Sequence, residues 1–394
     1  MSQELINHSP DLKKLRDEGY EIQVRGTKLL INSVPYLDTN RNVRYGTLVT
    51  VLELAGDKTK RPEDHKIHFI GEQPCRKDGT EIESIKLGVG NADLGDGIVV
   101  NRSFSNKPAG GYGDYYEKVT RYIDIISAPV RSLHPEITAT TFKLIESAET
   151  ESVFRYLDTN SSRGEIDRIT DKLKSQKIAI IGVGGTGSYV LDFVAKTPVS
   201  EIHIFDGDEF LQHNAFRTPG APSVEELREK PSKVKYLASI YSKMRRNIFV
   251  HCEYIDSDNI PSFAQFSVVF ICVDHGSIKK PLIESLELAG VTYIDVGMGI
   301  EDVEGSLVGT LRVTTGTADF NKPITERRRI SFAELDEDHA YDTNIQIAEL
   351  NALNAALAVI KWKKLVGFYS DVSREHNTLY TINDNLLHND DHKA

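Results

Sequence analysis

The sequence is poor in cysteine and holds no long apolar run. Its three cysteines, Cys75, Cys252 and Cys272, lie far apart among 394 residues and form no CxxC pair. This spacing gives neither a disulfide framework nor a cysteine-rich zinc site. The first residues lack the apolar core of a signal peptide, and no stretch approaches the length of a membrane span. These absences favour a cytoplasmic location.

An excess of positive charge is missing as well. The formal net charge is −11 at pH 7, whereas binding to nucleic acid or to an anionic membrane needs concentrated positive charge. The charge balance therefore argues against both partners. With 40% hydrophobic and 27% charged residues, the chain is typical of a globular protein that can build two ordinary domains.

The pattern of apolar residues changes near the middle of the chain. Early segments such as "KLLINSV" and "HKIHFIG" predict an antiparallel sheet, and "GDYYEKVTRYIDIIS" predicts a helix. From Lys177 onward apolar strands alternate with helices, which predicts a Rossmann-like, doubly wound, mostly parallel sheet. The polar segment "ESAETESVFRYLDTNSSRGE" separates the two patterns. We therefore predict an α+β domain over residues 1–150 and an α/β domain over residues 151–394.

A last long helix is predicted in "IQIAELNALNAALAVIKWKKLVG". Its apolar spacing puts Leu350, Leu353, Leu357 and Ile360 on one face, and Gly367 is a stop signal. The simplest interpretation of this segment is a packing helix.

The segment "IIGVGGTGS", residues 180–188, is an apolar run that ends in glycines. Gly182, Gly184 and Gly187 fit G-x-G-x-x-G between a predicted strand and a predicted helix. Glycine permits the tight turn and lets a phosphate approach main-chain N–H groups at a helix start, although such a turn can also be merely structural. Asp206, 24 positions after Gly182, closes the next strand, where a carboxylate can bind the ribose of NAD or ATP. The loop thus predicts a nucleotide without choosing between the two.

The residues that follow favour ATP. A dehydrogenase has no need for the polar residues in "IFDGDEFLQHNAFR", but a site for nucleotidyl transfer does. Arg217 offers a planar fork suited to phosphate oxygens. Lys233 supplies a point charge from a predicted helix start, with Lys230 and Lys235 as rivals. Asp274 ends the predicted strand "VVFICVD" at the carboxyl edge of the sheet, where it is placed to hold Mg²⁺.

Taken together and in this order, these residues resemble the ThiF/MoeB superfamily, the adenylating domain of ubiquitin-activating enzymes. The resemblance covers roughly residues 155–370 and implies an ATP-dependent adenylyltransferase. The matching motifs are Gly182-Val183-Gly184-Gly185-Thr186-Gly187-Ser188, Asp206-Gly207-Asp208, Asn214-Ala215-Phe216-Arg217, Lys233 and Asp274.

The resemblance also implies roles for these positions. Asp206 would hold the ribose, Arg217 and Lys233 the phosphates, and Asp274 the magnesium–ATP complex. The remaining residues of the implied nucleotide site are Gly182, Gly184, Gly185, Gly187 and Asp208.

Three positions keep a structural alternative beside the implied role. Asn214 would help position the α-phosphate, or it caps a loop. Arg163, in "RYLDTNSSR", would be the arginine that reaches the partner subunit's ATP in a homodimer, or it is a solvated residue at a helix end. Asp208 is equally compatible with a turn.

The implied substrate is the C-terminal glycine carboxylate of a ubiquitin-like protein, adenylated with release of pyrophosphate. Many family members then transfer the acyl group to a cysteine after the strand that corresponds to "GSLVGTLRVTT", and none lies there. Cys252 and Cys272 fall in predicted strands and are expected to be buried. The acceptor is therefore a hydroxyl of Thr314, Thr315, Thr317 or Ser331, or the enzyme stops at the adenylate or passes it directly to another protein of a bacterial-type conjugation pathway.

The first domain faintly resembles a ubiquitin-conjugating (UBC-like or RWD) fold, which invites comparison of Cys75 with a conjugating cysteine. The alternative is an accessory domain that recruits the ubiquitin-like protein or a conjugating partner. For the whole chain, the rival functions are adenylation of another carboxylate (a peptide or a tRNA nucleoside), an NAD-binding oxidoreductase, and a nucleotide-sensing scaffold.

Overall fold

The computed structural model describes residues 2–145, 152–164, 166–274, 276–321, 329–332 and 345–390. The chain divides into two compact units. The first comprises Met1–Ile145 with Asp158–Glu165, and the second comprises Glu146–Leu157 with Ile166–Ala394. No helix in the described part of the chain is long and apolar enough to cross a membrane.

The first unit is built on an antiparallel sheet. Its strands are β1 (Ile22–Arg25), β2 (Lys28–Leu37), β3 (Val43–Val51), β4 (Leu54–Ala55), β5 (Lys58–Thr59), β6 (Lys66–Ile70), β7 (Lys86–Asp93) and β8 (Val99–Ser105). Six of them pair in the order β1-β2-β3-β6-β8-β7, and β4 pairs with β5 alone. Its helices are α1 (Ser2–His8), α2 (Pro10–Asp17), α3 (Tyr115–Leu133) and α4 (Thr159–Arg163). The predicted antiparallel sheet is confirmed.

Helix α3 covers one face of this sheet. The carboxylate of Asp114 accepts a hydrogen bond of 2.7 Å from the main-chain N–H of Glu117 and so caps the helix start. Tyr115, Val119 and Tyr122 recur at helical spacing on the buried side, and they join the apolar side chains of the strands in one core. The spacing of apolar residues thus determines which side of α3 is buried.

The second unit contains a mixed sheet of eight strands. They are β9 (Lys177–Ile181), β10 (Glu201–Phe205), β11 (Ile248–His251), β12 (Val268–Ile271), β13 (Thr292–Val303), β14 (Ser306–Gly316), β15 (Asn377–Thr381) and β16 (Leu386–Asp390). Their order is β11-β10-β9-β12-β13-β14-β15-β16. The first five are parallel, and the last three are added antiparallel. The carboxyl ends of β9, β10 and β12 therefore lie at one edge.

Helices cover both faces of the parallel part. They are α5 (Asp167–Thr170), α6 (Gly185–Ala195), α7 (Gln212–Ala215), α8 (Val224–Arg228), α9 (Lys233–Tyr241), α10 (Gly276–Ala289) and α11 (Ala348–Leu365). Apolar residues of α6, α9 and α11 form one core with the sheet, and those of α10 form another on the opposite face. The predicted doubly wound architecture is confirmed.

The last helix, α11, does not pack through the face that apolar spacing predicts. Leu353 and Ile360 are exposed, whereas Asn351, Ala355 and Trp362 are buried. The reason is the close packing of α11 against α6, since small residues allow two helices to approach. The predicted end is correct, because Gly367 adopts a left-handed conformation just beyond the helix.

In the first unit, Lys118 is buried beneath the sheet with only 1% of its surface exposed. Its ammonium donates hydrogen bonds to the hydroxyl of Thr50 (2.9 Å) and to the carbonyl of Asp64 (2.7 Å). Burial lowers the pKa of Lys118 to about 8. The charged form is therefore disfavoured in the folded state.

We expect the difference in stability between the wild type and Lys118→Met to depend on pH, because burial disfavours the charged form of Lys118. Between pH 8 and the ordinary lysine pKa of about 10.4, Lys118 holds its proton more tightly in the unfolded chain than in the folded protein. The free energy of unfolding of the wild type therefore rises with pH relative to that of the variant, by at most about 3 kcal/mol. Denaturant unfolding of both proteins across this range measures the difference. A difference that does not change with pH would contradict the prediction, and Lys107→Met, at an exposed position, is the matched control.

Candidate active site

The glycine loop joins β9 to α6 and is held by steric constraints. Gly182 has φ +80°, and a Cβ there would lie 2.7 Å from the Val273 side chain and 2.8 Å from the carbonyl of Cys272. A Cβ at Gly187 would collide with the carbonyl oxygen of Gly182. Larger residues would therefore separate β9, α6 and the end of β12.

Asp206 follows β10 and ties this loop to its neighbour. Its carboxylate accepts hydrogen bonds of 2.9 Å from the main-chain N–H groups of Val183 and Asp208. Burial raises the pKa of Asp206, and the nearby charge of Lys233 opposes that rise. The carboxylate thus ties the glycine loop to the turn after β10, and its role toward a ribose stays a prediction.

Lys233 is the first residue of α9, and the hydroxyl of Ser232 caps this helix. Its ammonium lies 2.5 Å from a carboxylate oxygen of Asp208 and 3.7 Å from one of Asp206. The phenol of Tyr254 donates to the other oxygen of Asp208. Lys233 is only 8% exposed, so its charge is fixed beside the predicted ribose position.

The two rival lysines occupy different surroundings. Lys230 and Lys235 are both exposed, whereas Lys233 is buried against carboxylates. Of the three, Lys233 is therefore the one whose position is fixed by charged neighbours.

Asn214 and Arg217 come from the segment around α7. The amide oxygen of Asn214 accepts a hydrogen bond of 2.8 Å from the N–H of Leu211, so the predicted capping role is present. Its amide nitrogen is buried and has no hydrogen-bond partner among the described residues. Arg217 is half-buried, and its main-chain N–H donates to the main-chain carbonyl of Asn214. Asn214 therefore combines a cap with a buried donor that has no partner among the described residues.

Asp274 lies at the carboxyl edge, but outside the strand. The sequence predicts a strand that reaches Asp274, whereas β12 ends at Ile271. The packing of Val273 against Gly182 brings this short extension beside the glycine loop, and Asp274 is exposed there. Among the residues described, no group of three or more His, Cys, Asp or Glu is placed to hold a metal ion. A magnesium ion at Asp274 would therefore take its other ligands from phosphates and water.

The cysteines differ from one another in exposure. Cys75 is buried, its thiol donates to the carbonyl of Gln73 (3.3 Å), and burial raises its pKa. Cys272 is half-buried, and burial raises its pKa as well. The expectation that Cys252 is buried is wrong: β11 ends at His251, and Cys252 is exposed in the following turn.

The remaining predicted residues lie outside this site or outside the described side chains. Thr314 and Thr315 are buried within β14, so their hydroxyls are not exposed to an incoming acyl group. Thr317 is half-buried and Ser331 is exposed. The side chain of Arg163, in α4, lies outside the described residues.

Two sets of buried polar residues near the loop are not predicted from the sequence. The amide oxygen of Asn351 accepts a hydrogen bond of 2.9 Å from the Thr186 hydroxyl. The sequence pattern that could have indicated this contact is an asparagine among the apolar residues of a predicted helix. Asp295 is fully buried between Lys279 and Arg312. Its signal is a lone acid inside the apolar strand "VTYIDVG".

We expect Lys233→Met to weaken binding of a non-hydrolysable ATP analogue. Removing a desolvated cation that faces phosphates should cost about 10- to 100-fold in affinity, measured by titration calorimetry. Lys235→Met, two residues along and exposed, is the matched control and should change affinity less than about twofold. Equal effects of both substitutions would contradict the assignment of Lys233.

Two family models match parts of the chain. The ThiF family model matches residues 160–381, and a domain of unknown function, DUF6791, matches residues 10–159. No curated protein matches the chain. Solved structures with a similar fold include E. coli MccB with AMPCPP and MccA, which is 16% identical over 60% of this chain and 72% of that one, with a TM-score of 0.46.

PaaA is similar to the chain in fold as well. It is 14% identical over 57% of this chain and 75% of that one, with a TM-score of 0.45. The family model, by contrast, spans more than half of the chain and includes the glycine loop, Asp206, Lys233 and Asp274. The chain belongs to the ThiF family, whose chemistry is the ATP-dependent adenylation of a carboxylate.

Proposed function

We propose that this protein adenylates the C-terminal glycine carboxylate of a ubiquitin-like protein and releases pyrophosphate. The observation that carries the proposal is the convergence of Asp206, Lys233 and Asp274 on the glycine loop at one edge of the sheet. An NAD site has no use for a buried lysine and a further carboxylate beside the ribose position. Membership of the ThiF family supports the class of reaction.

In this proposal each residue has a physical task. Asp206 accepts hydrogen bonds from the ribose, and the N–H groups at the start of α6 bind phosphate oxygens. Arg217 and Lys233 neutralise the phosphates, and the buried amide nitrogen of Asn214 donates to the α-phosphate. Magnesium held at Asp274 would neutralise further phosphate charge.

The reaction itself needs alignment more than a protein base. A carboxylate oxygen attacks the α-phosphorus and forms a P–O bond. The bond from that phosphorus to the bridging oxygen breaks, and pyrophosphate leaves with the electron pair. The residues hold the two anions in line and neutralise their charges, which is the main catalytic requirement of such a transfer.

We propose that the enzyme ends at the adenylate or hands it directly to another protein of a bacterial-type conjugation pathway. The burial of Thr314 and Thr315 and of Cys75 disfavours these residues as acyl acceptors. The first unit then acts as an accessory domain that recruits the ubiquitin-like protein or its conjugating partner.

Adenylation of a small peptide is the alternative substrate class for this same site. The fold and the nucleotide residues serve either substrate equally. The two are therefore distinguished by which acyl substrate is required, not by the chemistry.

We expect ATP–pyrophosphate exchange to depend on a ubiquitin-like protein with a free C-terminal glycine and to collapse in Asp274→Ala. Loss of the metal-binding carboxylate should lower the exchange rate by about 100-fold or more. Asp258→Ala, at an exposed position of the same unit, is the matched control. Exchange without any protein substrate would favour a peptide, and NAD binding tighter than ATP binding would refute the proposal.

We further propose a homodimer in which Arg163 serves the partner's site. Two inactive variants, Arg163→Ala and Asp274→Ala, should then complement each other when mixed, because one site of each mixed dimer is intact. The expected exchange activity is about a quarter of the wild type for random pairing. Activity no higher than the sum of the separate variants would show that Arg163 does not act across subunits.

A further inference from the structure

Asp295 is a fully buried carboxylate on β13 with a cation against each oxygen. One oxygen lies 2.9 Å from the ammonium of Lys279, on α10. The other lies 2.5 Å from the guanidinium of Arg312, on β14. Asp295 is 0% exposed, the Lys279 side chain 5% and the Arg312 side chain 17%. These three charges are therefore almost entirely removed from water.

The position of Arg312 is fixed by further contacts. A second nitrogen of its guanidinium donates to the hydroxyl of Thr314 (2.6 Å), which donates to the amide oxygen of Asn377 (2.8 Å). A Cβ at Gly297 would lie 2.7 Å from the guanidinium. The glycine thus leaves space for the arginine to cross the neighbouring strand.

The charges in this cluster do not balance. Lys279 and Arg312 carry two positive charges, and Asp295 carries one negative charge. A buried excess of positive charge is costly unless an anion compensates it. Lys279 has three N–H donors, and among the described residues its ammonium has one partner, Asp295.

The cluster lies beside the proposed nucleotide site. Asp295 is level with Ile271, the last residue of the neighbouring strand β12. The chain then passes through Cys272 to Asp274 and enters α10, where Lys279 is in the first turn. The cluster therefore lies at the same carboxyl edge as the glycine loop. In the strand order, β9 and β12 separate its strand, β13, from β10, which Asp206 follows.

We propose that Lys279 and Arg312 form the subsite for the reacting carboxylate of the substrate, with Asp295 as the residue that positions both. This inference rests on the proposed function. An anionic carboxylate supplies the missing negative charge, and Arg312 binds it through the guanidinium N–H donors that Asp295 and Thr314 do not use. Attack on phosphorus makes that oxygen the bridge of a mixed acyl–phosphate anhydride and removes the carboxylate's negative charge, so the subsite binds the carboxylate and not the product.

The test uses the whole protein and two synthetic peptides. A hexapeptide that ends in Gly-Gly with a free carboxylate, and the same peptide as its amide, are titrated calorimetrically in the presence of magnesium and AMPCPP. Wild type should bind the carboxylate at least about tenfold more tightly than the amide. Arg312→Gln should abolish this preference while its AMPCPP affinity stays within about twofold. Arg312→Lys should restore part of the preference, because the charge is retained.

The outcomes separate the two proposals. If wild type fails to bind AMPCPP, the proposed function fails and the subsite with it. The subsite alone is refuted by either of two results obtained while AMPCPP binds normally. In one, the wild type binds the carboxylate and amide peptides equally; in the other, Arg312→Gln still prefers the carboxylate peptide. Arg374→Gln, at an exposed position of the same unit, controls for the substitution and should keep the preference, and thermal melting of each variant checks that it is folded.

Discussion

The hydrogen bond from the main chain of Val183 to the carboxylate of Asp206 is the contact on which the proposed nucleotide site depends. It links the glycine loop after β9 to the end of β10, and the same carboxylate binds the N–H of Asp208. Asp208 in turn holds the ammonium of Lys233 at 2.5 Å. One buried carboxylate therefore sets the relative positions of the loop, of the turn after β10 and of the start of α9.

Local steric requirements made much of this predictable from the sequence. The glycines at 182 and 187 are required because a Cβ would strike Cys272 or the loop itself, and such requirements leave a recognisable spacing. Asp206 follows strand β10, and Lys233 begins helix α9. The spacing of apolar residues predicts where this strand and this helix lie, and so places the two polar residues at their ends. The family resemblance supplied the roles, and the family match supports it.

Features that depend on tertiary packing were not predictable in the same way. The buried face of α11 is set by its close approach to α6, so Asn351 is buried there while Leu353 is exposed. Cys252 is exposed because β11 ends at His251, three residues before the end of the strand that the sequence predicts. Asp295 pairs with cations from two other elements, and no spacing along one segment encodes such a contact.

The carboxyl edge carries two charged clusters of opposite formal sign on either side of the glycine loop. Asp206, Asp208 and Lys233 together carry one net negative charge, which suits the hydroxyl donors of a ribose. Lys279, Arg312 and Asp295 carry one net positive charge, which suits a carboxylate acceptor. Because like charges repel strongly where water is excluded, this arrangement would favour one orientation of the two substrates. The ribose would lie toward β10 and the acyl group toward β14, with the α-phosphate between them at the loop.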